Sequence, residues 1–358
     1  MGLPDARRVL LCLRYGIGDV IMELPVVETL RRMLPNARIT GLGASPALEL
    51  LENDPRIDML AGIHIWGLHH WGDSGDSTVK TCIKHWIRQE EFDLILDPSH
   101  AVFAVRDAIW ELDHPAVRDT PSPTTILMNG RGGVTAIKEA AAHGWGIEIR
   151  ENLAPRLHLP PDAIDFAERF LVRHGMAGCR IAGISPVASS HLKQWPAERL
   201  AETSDHLTDN RDYRILQFCG PQESACRDVV RHMHRPERVL SVGSFHLSQV
   251  AALLSKCSFF IGNDTGLMHM ASALDVPVIA IFGPTSPHLY LPENGAMAVT
   301  GIDIACPHRK IDSFGPSPCI IESRCLTADQ GCITRAETGQ VIAAIEQLAA
   351  RLFFPLNS

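Results

Sequence analysis

The sequence predicts an α/β fold with parallel sheets, divided into two domains. Three observations carry that prediction. Short apolar, β-branched runs alternate with amphipathic stretches, as in βαβ units. A chain of 358 residues exceeds what one hydrophobic core usually supports. The alternation also breaks at LAPRLHLPPD, residues 153–162 with three prolines, and then restarts. The expected division is a first domain over 1–160, a second over 175–335, and a final segment, 336–358, whose helix packs back on the first domain.

The first domain opens on Arg8-Val9-Leu10-Leu11-Cys12-Leu13, an apolar run with the character of a buried strand. The turn Tyr15-Gly16-Ile17-Gly18-Asp19 follows, then a helix as far as Leu34, where Pro35 stops it. Apolar positions 20, 21, 24, 27, 30 and 34 give that helix one buried face. Further strands are expected over 37–42, 57–60 and 92–97. Residues 66–78 and 113–135, rich in Gly, Pro, Ser and Thr, read as long loops, where binding commonly sits. In the second domain strands are expected over 180–184, 213–218, 238–242, 258–261 and 276–282. Helices over 196–207, 221–234 and 247–256 connect them, and a last one covers 336–352.

Composition narrows the class. Net charge is −8, from 33 basic and 41 acidic side chains, which argues against a general nucleic-acid binder. No apolar run approaches the ~20 residues of a membrane span, and the N-terminus lacks the pattern of a signal peptide. The expected location is therefore cytoplasmic, with reduced thiols. Six of the ten cysteines (Cys12, Cys82, Cys179, Cys219, Cys226, Cys257) are scattered and read as small hydrophobes. Cys306, Cys319, Cys325 and Cys332 lack the paired spacing of a zinc ribbon. Packed thiols are the preferred reading there, with a bound metal the alternative.

Four turns carry residues suited to chemistry. In the first, Gly16 and Gly18 permit a sharp turn, and the helix after them offers free N–H groups. The third glycine of a dinucleotide fingerprint is replaced by Ile21, and RITGLG ends without a ribose-binding acid, so a nicotinamide enzyme is disfavoured. Asp19 is either a helix-capping side chain, worth ~1 kcal/mol, or a carboxylate placed to take a proton from a hydroxyl. In the second, Ser189, Ser190 and Lys193 lie in a strand-to-helix turn that suits a phosphate, or else form a solvated polar loop. The third holds Gly220 and Glu223; the carboxylate either accepts from a ribose diol or offsets a helix dipole. The fourth, Asn263-Asp264-Thr265-Gly266 with His269, places N–H groups and a close-approach glycine at a helix start. A ligand there is preferred over an empty cap.

In order, these blocks resemble glycosyltransferase family 9, the bacterial heptosyltransferases of the lipopolysaccharide inner core. Gly18-Asp19-Val20-Ile21 with Pro25 and Leu30 is similar to the family's opening block, and Ser189 to Pro196 to its second. Gly220 with Glu223 resembles its third, and Asn263 to Gly266, His269, Ala271, Pro277 and Phe282-Gly283-Pro284-Thr285 its most specific one. The resemblance implies a GT-B fold, two Rossmann-like domains facing across a cleft, the N-terminal one taking the acceptor and the C-terminal one the nucleotide-sugar. It implies an inverting transfer with Asp19 as general base. Lys193, Ser189 and Ser190 would face the diphosphate, and Glu223 the ribose or base. Asp264, Thr265, Gly266 and His269 would hold the phosphates and the transferred sugar. The donor it implies is ADP-heptose, with a UDP- or GDP-sugar as the alternative. The acceptor would be a glycolipid or glycan, reached at the cytoplasmic face of the inner membrane. No cofactor and no metal are expected, and the chain has no D-x-D motif. Arg7, Arg8, Arg14, Arg31 and Arg32 offer a surface for an anionic headgroup, or a solvated face.

Overall fold

The structure is a computed structural model that describes residues 5–14, 16–44, 46–63, 77–97, 108–109, 111–112, 117–119, 133–147, 149, 153–220, 223–301, 306–308, 317–327 and 331–353. The chain divides into two compact units, Met1–Pro160 and Pro161–Ser358. Each contains one parallel sheet.

In the first unit the strands are β1 (Arg8–Cys12), β2 (Arg38–Ala44), β3 (Met59–Ile63), β4 (Leu94–Asp97) and β5 (Val117–Asp119). Their order is β3-β2-β1-β4-β5, so the direction of winding reverses between β1 and β4. Helix α1 (Ile17–Met33) follows β1; α2 (Ser77–Glu90) and α3 (Gly133–Trp145) follow later. Most of the α1 circumference is buried, from Val20 to Val27 and at Thr29 and Leu30, where the apolar spacing predicted a single face. It packs against α3 and against the 3-10 turn Ala47–Leu51, so more than one side loses water. Pro25 inside this helix removes one donor; the helix continues because burial on more than one side outweighs one lost bond.

The second unit begins with α4 (Pro161–Arg173) and holds β6 (Ile181–Ser185), β7 (Arg214–Phe218), β8 (Val239–Val242), β9 (Phe259–Asn263), β10 (Val278–Phe282) and β11 (Ala296–Thr300). The helices between and after them are α5 (Ala197–Asn210), α6 (Glu223–His232), α7 (Leu247–Leu254), α8 (Gly266–Ala273), α9 (Pro287–Tyr290), α10 (Pro318–Ile321) and α11 (Thr338–Phe353). Strand order is β11-β10-β9-β6-β7-β8, with the reversal between β6 and β9. Every residue of β6, β9 and β10 is buried, which is why these strands read as apolar runs, broken by a polar residue only at the ends of β6 and β9. The helix α11, expected to pack back on the first domain, puts Val341, Ala344, Ile345 and Leu348 into the core of the second unit. Its apolar stripe finds β10, β11 and α5 there.

The sequence reading missed α2, α3, β5 and β11. Residues 66–76 of the first expected loop lie outside the described residues; α2 begins where that loop was to end. The second, 113–135, contains β5 and the start of α3. Two cysteine expectations are also corrected. Cys219 and Cys226 form a disulfide, because the β7–α6 turn brings their Cα atoms to 5.9 Å, within bonding range. Cys82 and Cys179 are exposed, while Cys12 and Cys257 are buried as small hydrophobes. Burial raises the Cys319 thiol above its ordinary value, and repulsion from the Cys306 and Cys325 thiols adds to this against backbone hydrogen bonds that lower it. Among the described residues no three His, Cys, Asp or Glu side chains converge as a metal site. Among them also, no helix is long and apolar enough to cross a membrane.

Candidate active site

Both reversals of strand order are places where parallel α/β sheets open a crevice at the strands' carboxyl ends. The Gly16–Asp19 turn, Ser189 to Lys193 and Asn263 to His269 fall at these two places, whereas Gly220 and Glu223 follow β7, outside the reversal. In the first unit, the turn from β1 into α1 lies beside β4. Gly16 is the residue before the helix, with φ −85° and ψ 151°, and no side chain caps the α1 start. Its value is therefore space and not a special backbone angle: a Cβ at Gly16 would sit 2.5 Å from Oδ2 of Asp19. Gly18 lies within the first helical turn. Asp19 is not the capping residue; its Oδ1 lies 3.4 Å from Nη1 of Arg14, and its side chain is 37% exposed. The carboxylate is thus held on one side and open on another.

The arginines expected to offer a cationic surface are largely paired. Arg14 is buried between Asp19 and Glu23. Arg31 bonds Asp58 and the carbonyls of Arg56 and Ala37. Arg32 pairs with Glu28, and Arg8 with Glu90. Their charges serve to close helix and strand ends.

In the second unit the loop after β6 is fixed by Asn263, the last residue of β9. Its amide donates to the carbonyls of Pro186 (2.9 Å) and Val187 (3.4 Å), and its side-chain oxygen accepts from the Trp195 N–H (3.0 Å). Trp195 is buried and donates its indole N–H to the Ala336 carbonyl. With both ends pinned, residues 191–193 form a single 3-10 turn that aims Lys193 across to the next strand. The Lys193 ammonium lies 2.8 Å from Oδ2 of Asp264, and both side chains are largely buried. Thr265 is the cap position of α8, yet its hydroxyl makes no capping bond and is buried without a hydrogen-bond partner. Gly266 starts the helix and His269, buried, lies one turn along. Lys193, Asp264, Thr265 and Gly266 are therefore brought together.

Other predicted residues are placed differently. Ser190 is occupied as a cap, its hydroxyl accepting the Leu192 N–H, and Ser189 is exposed. Gly220 adopts φ +53°, a conformation that favours glycine, just before α6. Glu223 begins that helix, and its side chain lies outside the described residues.

The sequence reading named Thr285 only within the family block, with no role, and passed over Ser286. Thr285 and Ser286, in the loop after β10, are buried without hydrogen-bond partners. That loop presses on the Lys193 turn, since a Cβ at Gly283 would lie 3.2 Å from the Leu192 carbonyl oxygen. A buried hydroxyl left unpaired costs about 1–3 kcal/mol. Three of them at the carboxyl ends of β9 and β10, beside a cation–carboxylate pair, mark a polar site whose donors and acceptors are not exhausted within the protein. The signal was available in the Thr-Ser that follows an all-apolar strand.

The sequence pattern of glycosyltransferase family 9 (heptosyltransferase) matches residues 141–312. Lipopolysaccharide heptosyltransferase 3 of Escherichia coli (strain K12) is 24% identical over 290 residues, covering 76% of this chain and 81% of that protein. Among solved structures, a family 9 glycosyl transferase from Veillonella parvula DSM 2008 superposes with a TM-score of 0.79 at 21% identity, covering 97% of this chain and 98% of that one. ADP-heptose lps heptosyltransferase II of E. coli gives 0.68 at 18% identity, over 97% and 99% of the two chains. The structural likenesses show the fold, which is GT-B. With the family pattern over much of the second unit and a heptosyltransferase aligned along most of the chain, the protein resembles glycosyltransferase family 9 and is a glycosyltransferase.

Proposed function

We propose that the protein transfers heptose from ADP-heptose to a lipopolysaccharide core sugar, with inversion and without a metal ion. The observation that carries this reading is the Lys193–Asp264 pair at the β6–β9 reversal, next to the Thr265 and Gly266 helix start. The pair's net charge is zero, so a diphosphate would draw the Lys193 ammonium from Asp264. The freed carboxylate would accept from sugar hydroxyls, which a phosphate-only site would not require. The N–H groups of α8 and the ammonium would take up the charge that develops on the departing diphosphate.

On the acceptor side, Asp19 removes a proton from the attacking hydroxyl. The new C–O bond forms on the face opposite the diphosphate, which leaves with the electrons of the broken bond. The carboxylate is half open, as that role needs. Support for heptose and for a lipopolysaccharide acceptor comes from the names of the relatives. Reaction at the cytoplasmic face of the inner membrane fits an acceptor of that kind.

Isothermal titration with ADP, UDP and GDP tests the donor. ADP should bind with UDP and GDP at least tenfold weaker; tight UDP binding with no response to ADP overturns the heptose reading. Transfer from ADP-heptose in excess EDTA should proceed at the untreated rate, and loss of turnover restored by a divalent ion would refute the metal-free mechanism.

A further inference from the structure

The turn after β1 contains more charge than the general-base reading uses. Arg14 and Glu23 are 5% and 2% exposed, among the most buried charged residues in the first unit. Glu23 follows Asp19 by four residues on α1, so the two carboxylates lie on one side of the helix. One Glu23 oxygen accepts the main-chain N–H of Arg14 at 3.1 Å, and the other lies 3.1 Å from the Arg14 Nε. Arg14 then reaches Oδ1 of Asp19 with Nη1. The remaining Asp19 oxygen fills the space left by the missing side chain of Gly16. Two carboxylates share one guanidinium, so the group keeps one net negative charge, and of its two carboxylates Asp19 is the more open to solvent.

A buried Arg–Glu pair is a poor stability device, since apolar side chains of similar volume usually serve as well or better. Its arrangement here serves orientation. We propose that Arg14 is a positioning residue for the transfer reaction: held by Glu23, it fixes the Asp19 carboxylate in the one orientation from which the acceptor's proton can be taken. This rests on the reading of Asp19 as general base. Arg14 and Glu23 exchange no proton; the only proton moved goes from the acceptor hydroxyl to Asp19.

The test uses the full chain with ADP-heptose and a truncated lipopolysaccharide core as acceptor. The double variant Arg14→Met/Glu23→Leu removes both buried charges at similar volume. Its kcat should fall about 10- to 100-fold, the usual consequence of a misplaced reacting group. The donor KM and the ADP Kd from calorimetry should stay within about twofold of the wild type. Arg14→Lys should recover only part of the rate, and guanidinium ion should raise the kcat of Arg14→Ala in a concentration-dependent way. If the double variant does not melt cooperatively, Glu23→Gln carries the same comparison. A folded variant with wild-type kcat overturns the proposal. A loss of ADP affinity matching the loss of kcat also overturns it, because the pair would then be a support of the whole fold. Asp19→Asn separates the two readings. If it turns over at the wild-type rate, the general-base reading falls. If it is inactive while the double variant is fully active, only the positioning role falls.

Discussion

Gly16 and Lys193 show how single residues act here through space and charge. An alanine at position 16 suits the observed φ of −85°, so the backbone need not move. The added carbon would instead push the end of the Asp19 side chain out of its place beside Arg14, leaving the backbone where it is. Gly16→Ala should therefore melt within a few degrees of the wild type yet lose about 10- to 100-fold in kcat, read by steady-state kinetics beside a thermal melt. An unchanged kcat would mean that the carboxylate's place is unimportant. Lys193→Ala leaves Asp264 buried without its cation and removes the positive charge offered to a diphosphate. ADP affinity should drop about 10- to 100-fold by calorimetry, equivalent to roughly 1.4–2.8 kcal/mol. These roles were only partly legible in the sequence. Asp19, Lys193, Asp264, Thr265 and Gly266 stand at strand-to-helix turns, where residue type and place already suggest binding. Glu23 lies in the middle of an apolar helix, and no local rule says that it meets Arg14 nine residues earlier.

Elements are held by a few long-range polar ties, and these were the least visible from local pattern. Strands β6, β9 and β10 were readable because burial on both faces demands continuous apolar runs. The edge strand β11, Ala-Met-Ala-Val-Thr, is half covered and carries small residues, so neither alternation nor a β-branched run announces it. Asn263 stands in the sequence only as the first residue of the fourth turn, with no role of its own, yet it fastens the β6 loop through Pro186, Val187 and Trp195. Asn263→Ala strands one buried N–H and two carbonyls and should destabilise the second unit by about 3 kcal/mol in urea unfolding; Asn263→Asp, which keeps the acceptor only, should fall in between. The Cys219–Cys226 bond was also beyond local pattern, since it requires knowing that α6 turns back on β7. With seven residues of separation, opening it should cost about 2–3 kcal/mol in the chain-entropy model. Cys219→Ser/Cys226→Ser, compared with the oxidised protein by the same unfolding experiment, checks that figure, and an unchanged midpoint would show the bond to be open in solution.

At the scale of the whole molecule, two units with separate cores imply two separable stabilities. The residues proposed for the donor lie in Pro161–Ser358, and the Asp19 turn lies in Met1–Pro160. A nucleotide that binds only the folded second unit stabilises that unit by mass action, by about 2.7 kcal/mol at a hundredfold excess over Kd. It gives the first unit only what is coupled between them. Hydrogen exchange with and without ADP resolves this by segment. Amides of β6, β9 and β10 should slow by up to about 100-fold where they exchange through unfolding of the unit, the same free energy read as a rate. Those of β1, β2 and β4 should change by less than about threefold. Equal protection in both sheets would mean that the units unfold as one body, and that the donor's binding energy is spread over the whole chain. Protection confined to the first unit would move the nucleotide to the Asp19 side and reverse the assignment of the two sites. The experiment therefore reads the division of labour between the units independently of turnover, with an acceptor absent.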